Sequence, residues 1–212
     1  MSFILLAHGS SDARHASEVR ELAENVSGLL GEEVGCAFLS DDSLTEGARV
    51  LPLFLGHGRH GSVDAPALAE KSGVILLPSL AAHADAVAEL AYDRVTAETR
   101  RVKVLFGLYR FSGFEALYAA LHEHNKHCTL VAHGALHGEP SVASVLDLWR
   151  EDGVSPVKLQ PMLLFNGKSL DEMTAQAKGE DIEILPVLSQ SPGFPELISS
   201  LLECCDLNEN KS

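Results

Sequence analysis

The strongest constraint on the fold is an internal repeat in which apolar strands alternate with amphipathic helices. Pro52–His60 (Pro-Leu-Phe-Leu-Gly-His-Gly-Arg-His) aligns with Pro161–Ser169 (Pro-Met-Leu-Leu-Phe-Asn-Gly-Lys-Ser). Further along the chain, Ile75–Leu80 aligns with Glu183–Leu188. A pattern that occurs twice in the same order predicts two halves built on one scaffold.

The apolar runs are short and uninterrupted, which is typical of strands in parallel sheets that helices cover on both faces. We predict strands at residues 2–7, 34–39, 49–55 and 73–77 in the first half, and at 102–108, 128–132, 157–164 and 181–187 in the second. Helical spacing predicts helices at residues 14–30, 62–71, 83–96, 113–123, 141–152, 170–178 and 195–203. The predicted fold class is α/β, with two similar flavodoxin-like halves, mainly parallel sheets and a cleft between the halves. The polar segment Thr96–Arg101 predicts a boundary between domains 1–97 and 98–212.

The repeat leaves one choice of register and one irregular crossover. Leu5–Gly9 looks like Leu130–Gly134, but the count of elements matches the first strand with Val102–Leu108 instead. In the second half a full helix separates the second and third strands, whereas the first half has only Ser40–Gly47 there. A parallel crossover normally takes a dozen or more residues, so this loop is either trimmed or extended and non-helical.

Charge and composition exclude several classes of function. The chain has 30 acidic and 16 basic residues and a net charge of −14, whereas nucleic-acid binding needs a basic face. We therefore expect no nucleic acid and no membrane among its partners. No apolar run approaches the roughly 18–20 residues of a membrane span, the first residues lack the basic region of a signal peptide, and the four cysteines form no CxxC pair. These features favour a cytoplasmic protein.

Histidines follow two of the predicted strands. His8 follows the first strand, and His57 and His60 follow the third, in glycine-rich turns. Ligands of open parallel sheets bind beyond the carboxyl ends of the strands, so we expect His8 and His60 to face one site. Neutral imidazoles bind divalent transition metals and accept protons near neutral pH. Each histidine taken alone also fits an ordinary turn residue.

Two further patterns point to other chemistry. The run His122–Cys128 contains three histidines and a cysteine and could deliver a metal, although a solvated helix end is the better explanation. Arg59-His60-Gly61 after a strand is similar to the motif of histidine phosphatases, in which the histidine is a nucleophile. In that family the motif sits at the first strand, whereas here it follows the third.

Three motifs in order resemble the class II chelatases, which insert cobalt or iron into sirohydrochlorin. They are Ile4–Arg14, Pro52–His60 and Pro78–His83, and the second half resembles two-domain members more loosely through Glu139–Ser141 and Pro161–Gly167. The resemblance implies a lyase for which Co²⁺ or Fe²⁺ and a sirohydrochlorin-like tetrapyrrole are substrates, with no tightly bound cofactor. The pathway would be cobalamin or siroheme synthesis.

The resemblance also assigns residues. His8 and His60 would bind the metal and help to deprotonate the tetrapyrrole, and Ser10, Arg14, Arg59 and Lys168 would bind the substrate. The family's glutamate after the second strand is missing, since Ser40 follows Ala37-Phe-Leu. Asp41, Asp42, His137 or Glu139 could supply the third catalytic group, and we favour Glu139. The alternatives are a tetrapyrrole or metal carrier without turnover, and a phosphohydrolase that uses His60.

Overall fold

The described residues form two four-stranded parallel sheets. The computed structural model describes residues 2–98, 101–125, 128–179 and 181–209. The first sheet contains β1 (Phe3–Ala7), β2 (Val34–Phe38), β3 (Arg49–Pro52) and β4 (Ile75–Leu76), in the order β2-β1-β3-β4. The second contains β5 (Lys103–Leu108), β6 (Leu130–Ala135), β7 (Val157–Pro161) and β8 (Ile182–Ile184), in the order β6-β5-β7-β8. The identical strand order confirms the predicted repeat of an α/β scaffold.

Strand register settles how the two halves correspond. The proline that ends β3 pairs with Leu6 of β1, and the proline that ends β7 pairs with Gly107 of β5. β5 is therefore the counterpart of β1, as the count of elements predicted. It follows that Tyr109 stands after β5 where His8 stands after β1.

In the part of the chain that the structure describes, seven α-helices flank the sheets. They are α1 (Ala13–Leu30), α2 (Ala65–Ser72), α3 (Ala84–Thr96), α4 (Glu115–Glu123), α5 (Val142–Glu151), α6 (Lys168–Gln176) and α7 (Phe194–Glu209). A π-helical turn, His60–Asp64, leads into α2, and a 3-10 helix, Leu80–His83, leads into α3. Within the described ranges, no helix has the length and apolar character needed to cross a membrane.

The chain divides into two compact units, and the division is not linear. The first unit is Met1–His83 with Pro192–Ser212, and the second is Ala84–Ser191. α7 packs against α1, and α3 packs against α4. The Tyr92 hydroxyl of α3 also donates a hydrogen bond to the Leu121 carbonyl at 2.6 Å. These contacts place α3 in the second unit and α7 in the first, whereas the boundary predicted after residue 97 assigns each helix to the other half.

The crossover from β2 to β3 contains no helix. It turns at Asp41, whose backbone N–H donates to the Phe38 carbonyl, and the Leu44 N–H donates to the Ser72 hydroxyl at 2.9 Å. Leu39 and Leu44 pack on the apolar cluster around Leu6. In the second unit α5 covers the same face of the sheet with an apolar stripe that includes Trp149. The loop is thus non-helical, one of the two alternatives that the sequence left open.

Several element boundaries differ from prediction. The second strand of the second unit was expected to end at Ala132, but β6 continues through His133 and Gly134. A Cβ at Gly134 would lie 2.8 Å from the Cα of Val142 in α5. Because glycine lets α5 approach this closely, β6 extends beneath the helix, beyond the predicted end at Ala132.

Candidate functional site

His8 and His60 come together at the carboxyl edge of the first sheet. His8 directly follows β1, and His60 opens the π-helical turn after β3. β1 and β3 are adjacent and parallel, so their ends meet at one edge. The two ring centroids are 6.0 Å apart and the ring planes differ by 18°, which is a stacked arrangement. Both side chains are exposed, and 60% of the His60 side chain is accessible.

A third imidazole, that of His15, lies next to His8. His15 of α1 is 5% exposed, and its ring centroid is 4.8 Å from that of His8. Burial lowers the pKa of His15 to about 4, the neighbouring His8 acts in the same direction, and Asp12 opposes both. His15 is therefore neutral at physiological pH. His15 was not among the predicted site residues, although His15, Val19, Leu22 and Val26 share one buried face of α1.

The environment of His8 favours its neutral form. Although part of the His8 side chain is exposed, the protein around its ring excludes water and so lowers its pKa; the nearby His60 lowers it further, and a hydrogen bond with the Gly9 backbone opposes the shift. Gly9 adopts φ +82°, a left-handed conformation that favours glycine and turns the chain away directly after the imidazole. A neutral imidazole can use its lone pair to bind a metal ion or to accept a proton.

Asp64 contacts His60 from the last position of the π-helical turn. Its Oδ2 lies 2.8 Å from Nδ1 of His60, and its Oδ1 accepts a hydrogen bond from Nε of Arg59 at 3.3 Å. The hydrogen bond with His60 lowers the pKa of the Asp64 carboxyl, and Arg59 adds to the effect. Asp64 was also not among the predicted site residues. The available signal was the four-residue spacing of His60 and Asp64, which brings side chains together on a helical turn.

The other predicted substrate-binding residues of the first unit lie shortly after the same two strands, β1 and β3. The Ser10 hydroxyl accepts a hydrogen bond from the Asp12 N–H at 3.1 Å, and the Asp12 carboxylate begins α1 by accepting from the Arg14 N–H. The Arg14 guanidinium binds the same carboxylate, at 2.7 Å from Nη2. Arg59 is bound to Asp64, yet 82% of its side chain remains accessible. Both arginines are thus exposed but already paired with carboxylates.

Glu139 and Lys168 belong to the second unit. Glu139 precedes α5, and its Oε2 accepts hydrogen bonds from the Ser141 N–H at 3.0 Å and from the Ser144 hydroxyl at 3.3 Å. The carboxylate therefore satisfies donors at the start of α5, where negative charge is favourable. Lys168 is the first residue of α6.

The remaining candidates for a third group have local partners. The Asp41 carboxylate accepts a hydrogen bond from the Phe38 N–H at 2.9 Å, and Asp42 is exposed. In the second unit, the His137 ring packs edge-on against Tyr109 with centroids 4.9 Å apart. The Asp64 carboxylate, which contacts the His60 imidazole, was not among the candidates for the third group.

The donor set of the first unit suits transient metal binding. Among residues 2–98, 101–125, 128–179 and 181–209, no three His, Cys, Asp or Glu side chains are grouped as ligands for a metal ion. Two imidazoles would leave most coordination positions open, and open positions are what a metal needs if it is to exchange ligands. In the His122–Cys128 run, Nε2 of His124 lies 3.7 Å from an Asp85 oxygen, and His127 is outside the described residues.

Comparison with known proteins finds this fold in solved structures. No model of a protein family and no curated sequence matches the chain. SirB from Bacillus subtilis with Fe³⁺ matches with a TM-score of 0.71 at 14% identity, over 95% of this chain and 94% of that chain. The sirohydrochlorin chelatase SirB from Bacillus subtilis subspecies spizizenii in complex with cobalt matches with a TM-score of 0.67 at 16% identity, over 92% of this chain and 90% of that chain.

A third structure extends the comparison. DR2241 from Deinococcus radiodurans, described as a multi-domain protein with structural similarity to chelatases and two additional domains, has a TM-score of 0.66 at 19% identity. The match covers 94% of this chain and 54% of DR2241. At these identities the comparisons show the fold: the chain has a class II chelatase-like α/β fold. This confirms the fold that the three sequence motifs predicted.

Proposed function

We propose that the protein inserts a divalent metal, Co²⁺ or Fe²⁺, into sirohydrochlorin or a closely similar tetrapyrrole. The observation that carries the proposal is the stacked pair of His8 and His60, 6.0 Å apart at the carboxyl edge of a parallel sheet. Its support from known structures is that two neighbours of the same fold are SirB proteins, one with Fe³⁺ and one with cobalt. The reaction would belong to cobalamin or siroheme synthesis.

The chemistry assigns two tasks to the imidazoles. Insertion replaces two pyrrole N–H protons by one divalent ion, so the site must hold the metal loosely and accept protons. His8 and His60 would bind the incoming ion through ring nitrogens. As the ion passes to the pyrrole nitrogens, an imidazole freed from the metal can take a proton. The low pKa of His8 keeps it neutral, and therefore able to do both, at physiological pH.

The remaining roles extend this proposal. Arg14 and Arg59 would bind carboxylates of the tetrapyrrole with the accessible parts of their guanidinium groups, and Ser10 would add a hydroxyl. Lys168 of the second unit would contribute a further cation. In the chelatase family a glutamate follows the second strand, whereas in the first unit of this chain Ser40 stands there. Glu139, a carboxylate that follows the second strand of the second unit, would act as the third catalytic group instead.

A carrier that binds tetrapyrrole or metal without turnover is the second candidate. The observation that favours it is Ser40, which stands where the resemblance leads one to expect a catalytic glutamate. The two functions differ in product. A chelatase releases metallated tetrapyrrole over many turnovers, whereas a carrier returns its ligand unchanged.

Incubation with sirohydrochlorin and Co²⁺ or Fe²⁺ separates these functions. We expect the absorption spectrum to change to that of the metallated macrocycle with substrate in large excess over protein. His57→Ala is a matched control for His60→Ala, because His57 lies on the same glycine-rich loop as His60 and is also exposed. Binding without conversion would support the carrier. Hydrolysis of p-nitrophenyl phosphate that depends on His60, without metal insertion, would support a phosphohydrolase and overturn the proposal.

A further inference from the structure

The chemistry of Asp64 and His60 determines which of the two donates the hydrogen bond between them. An ionised carboxylate has no proton to donate, so in the 2.8 Å contact Nδ1 of His60 must be the donor. The hydrogen-bonded ring then carries its proton on Nδ1, and Nε2 retains the lone pair. Only the Nε2 atom of such a ring can bind a metal ion.

The Asp64 side chain does not cap α2, and Asp64 itself has helical backbone angles, φ −71° and ψ −45°. An aspartate that precedes a helix usually caps it by accepting a hydrogen bond from a backbone N–H two or three residues later. Asp64 precedes α2 but its side chain makes no such bond. Its two oxygens instead accept from His60 and Arg59, so the carboxylate is used for the site.

The π-helical turn explains how the carboxylate comes to face the imidazole. Such turns hold one more residue than an α-helical turn and are frequent at functional sites. Here Ala65, the next residue, is fully buried in the core below the sheet edge, while the Asp64 side chain stays 30% exposed beside His60.

The repeat provides an internal comparison. Counted from the aligned glycines Gly58 and Gly167, the position of Asp64 corresponds to Met173 in the second unit. Met173 is fully buried and packs against Gly107, and Ser169 stands at the position of His60. The scaffold therefore accepts an apolar residue at this position, and the carboxylate occurs in the unit that has the imidazole.

We propose that Asp64 is a positioning residue that holds His60 in the Nδ1–H tautomer and so presents Nε2 to the metal. Nε of Arg59 donates a hydrogen bond to the other oxygen of this carboxylate, Oδ1, and helps to hold it in place. The use of Nε2 for metal rests on the proposed function, whereas the tautomer of His60 does not. Carboxylates in this position orient metal-binding histidines and increase their basicity, and their loss typically lowers metal affinity by about 10–100-fold.

The tautomer can be measured directly on the metal-free protein. Two-bond ¹H–¹⁵N correlation spectra at pH 8 report which ring nitrogen carries the proton, and His60→Gln identifies the His60 signals. We expect the Nδ1–H pattern in the wild type and in Glu70→Gln, a matched loss of charge on the exposed side of α2. Asp64→Ala should lose that pattern. An Nε2–H tautomer in the wild type, or an unchanged tautomer in Asp64→Ala, would overturn the proposal.

Metal affinity provides the second arm and needs no tetrapyrrole. Titration with Co²⁺ alone, followed by its visible absorption bands, should show affinity about 10–100-fold lower in Asp64→Ala than in the wild type and Glu70→Gln. Asp64→Glu should recover part of the loss. Wild-type affinity in Asp64→Ala would overturn the role of Asp64 and leave the proposed function standing. If the wild type binds no Co²⁺, the proposed function fails with the metal part of this inference, and the spectra still decide the tautomer.

Discussion

The imidazole rings of His8 and His60 stack with centroids 6.0 Å apart, although a helix, two strands and a crossover separate them in sequence. The adjacency of β1 and β3 produces this relationship, because parallel neighbours bring their carboxyl ends to one edge of the sheet.

The first prediction concerns the asymmetry of the repeat. His60→Ala should reduce the rate of metal insertion by about 10²-fold or more, since a group that binds metal and transfers protons is lost. Ser169→Ala, the matching change in the second unit, should leave the rate within a factor of about two. Thermal unfolding should change little for His60→Ala, because its side chain is exposed. Equal losses in the two variants would contradict the functional difference between the units.

The second prediction concerns the ionisation of His8. Its pKa lies below the ordinary value of 6.5 because of burial and the nearby His60. In His60→Ala both causes weaken, so the pKa of His8 should rise. An NMR titration of the His8 ring protons measures this, with His57→Ala as the control. A His8 pKa at or above 6.5 in the wild type would contradict the environment described for it.

The third prediction concerns stability in acid. The pKa of His15 is about 4 in the fold and near 6.5 when the chain is unfolded, so between these values the unfolded chain binds more protons. Stability from this group is therefore fully present above pH 6.5 and falls as the pH drops toward 4, by roughly 2–3 kcal/mol. Urea denaturation at pH 7.5 and pH 5 should show the loss in the wild type.

His15→Leu provides the control for that loss. Leucine cannot be protonated and suits the buried face of α1, so the variant should lose less free energy of unfolding between the two pH values than the wild type. His133, whose pKa burial lowers to about 4 in the second unit, should still contribute its share. The same acid sensitivity in His15→Leu and the wild type would show that His15 is not responsible.

The fourth prediction concerns close packing in the second unit. Gly134→Ala would place a Cβ 2.8 Å from the Cα of Val142, which forces β6 and α5 apart and should cost about 1–3 kcal/mol. Gly28→Ala is the matched control. Gly28 lies within α1 with open space around it, so this change should stabilise the helix by about 0.5–1 kcal/mol. Chemical denaturation compares the two, and equal effects would contradict the packing described for β6 and α5.

The fifth prediction concerns the third catalytic group. Glu139→Gln keeps an oxygen that can accept from Ser141 and Ser144, so the fold should persist while a general base is lost. We expect the insertion rate to fall by on the order of 10²-fold, and Asp41→Asn and Asp42→Asn to stay near the wild type. A deep loss in either aspartate variant, with none in Glu139→Gln, would move the role to that aspartate.

The fold could be predicted from the sequence because its signals are local. Apolar runs, helical spacing and the two aligned proline segments are sufficient to predict alternating strands and helices, parallel sheets and the repeat. The exchange of α3 and α7 between the units could not be predicted, because it depends on which helix packs on which, and the apolar faces of both helices look alike in sequence. β6 was predicted too short, since the sequence does not show that α5 packs closely over Gly134.

The candidate site was predicted in part. Strand ends and glycine-rich turns indicated His8 and His60, and the structure brings these two together. His15 resembled a helix residue of no particular role. Asp64 was missed because a four-residue spacing from His60 does not by itself show that the two side chains meet. Glu139 was chosen from its place after a strand, and its contacts with the start of α5 appear only in three dimensions.

The central claim is that the pair of His8 and His60 inserts the metal. The most direct test is the initial rate of Co²⁺ insertion into sirohydrochlorin, compared for the wild type, the double variant His8→Ala/His60→Ala and a reaction without protein. We predict a wild-type rate far above the uncatalysed rate and a double variant that falls to the uncatalysed rate while keeping the wild-type circular dichroism spectrum. A folded double variant that inserts cobalt as fast as the wild type would contradict the account.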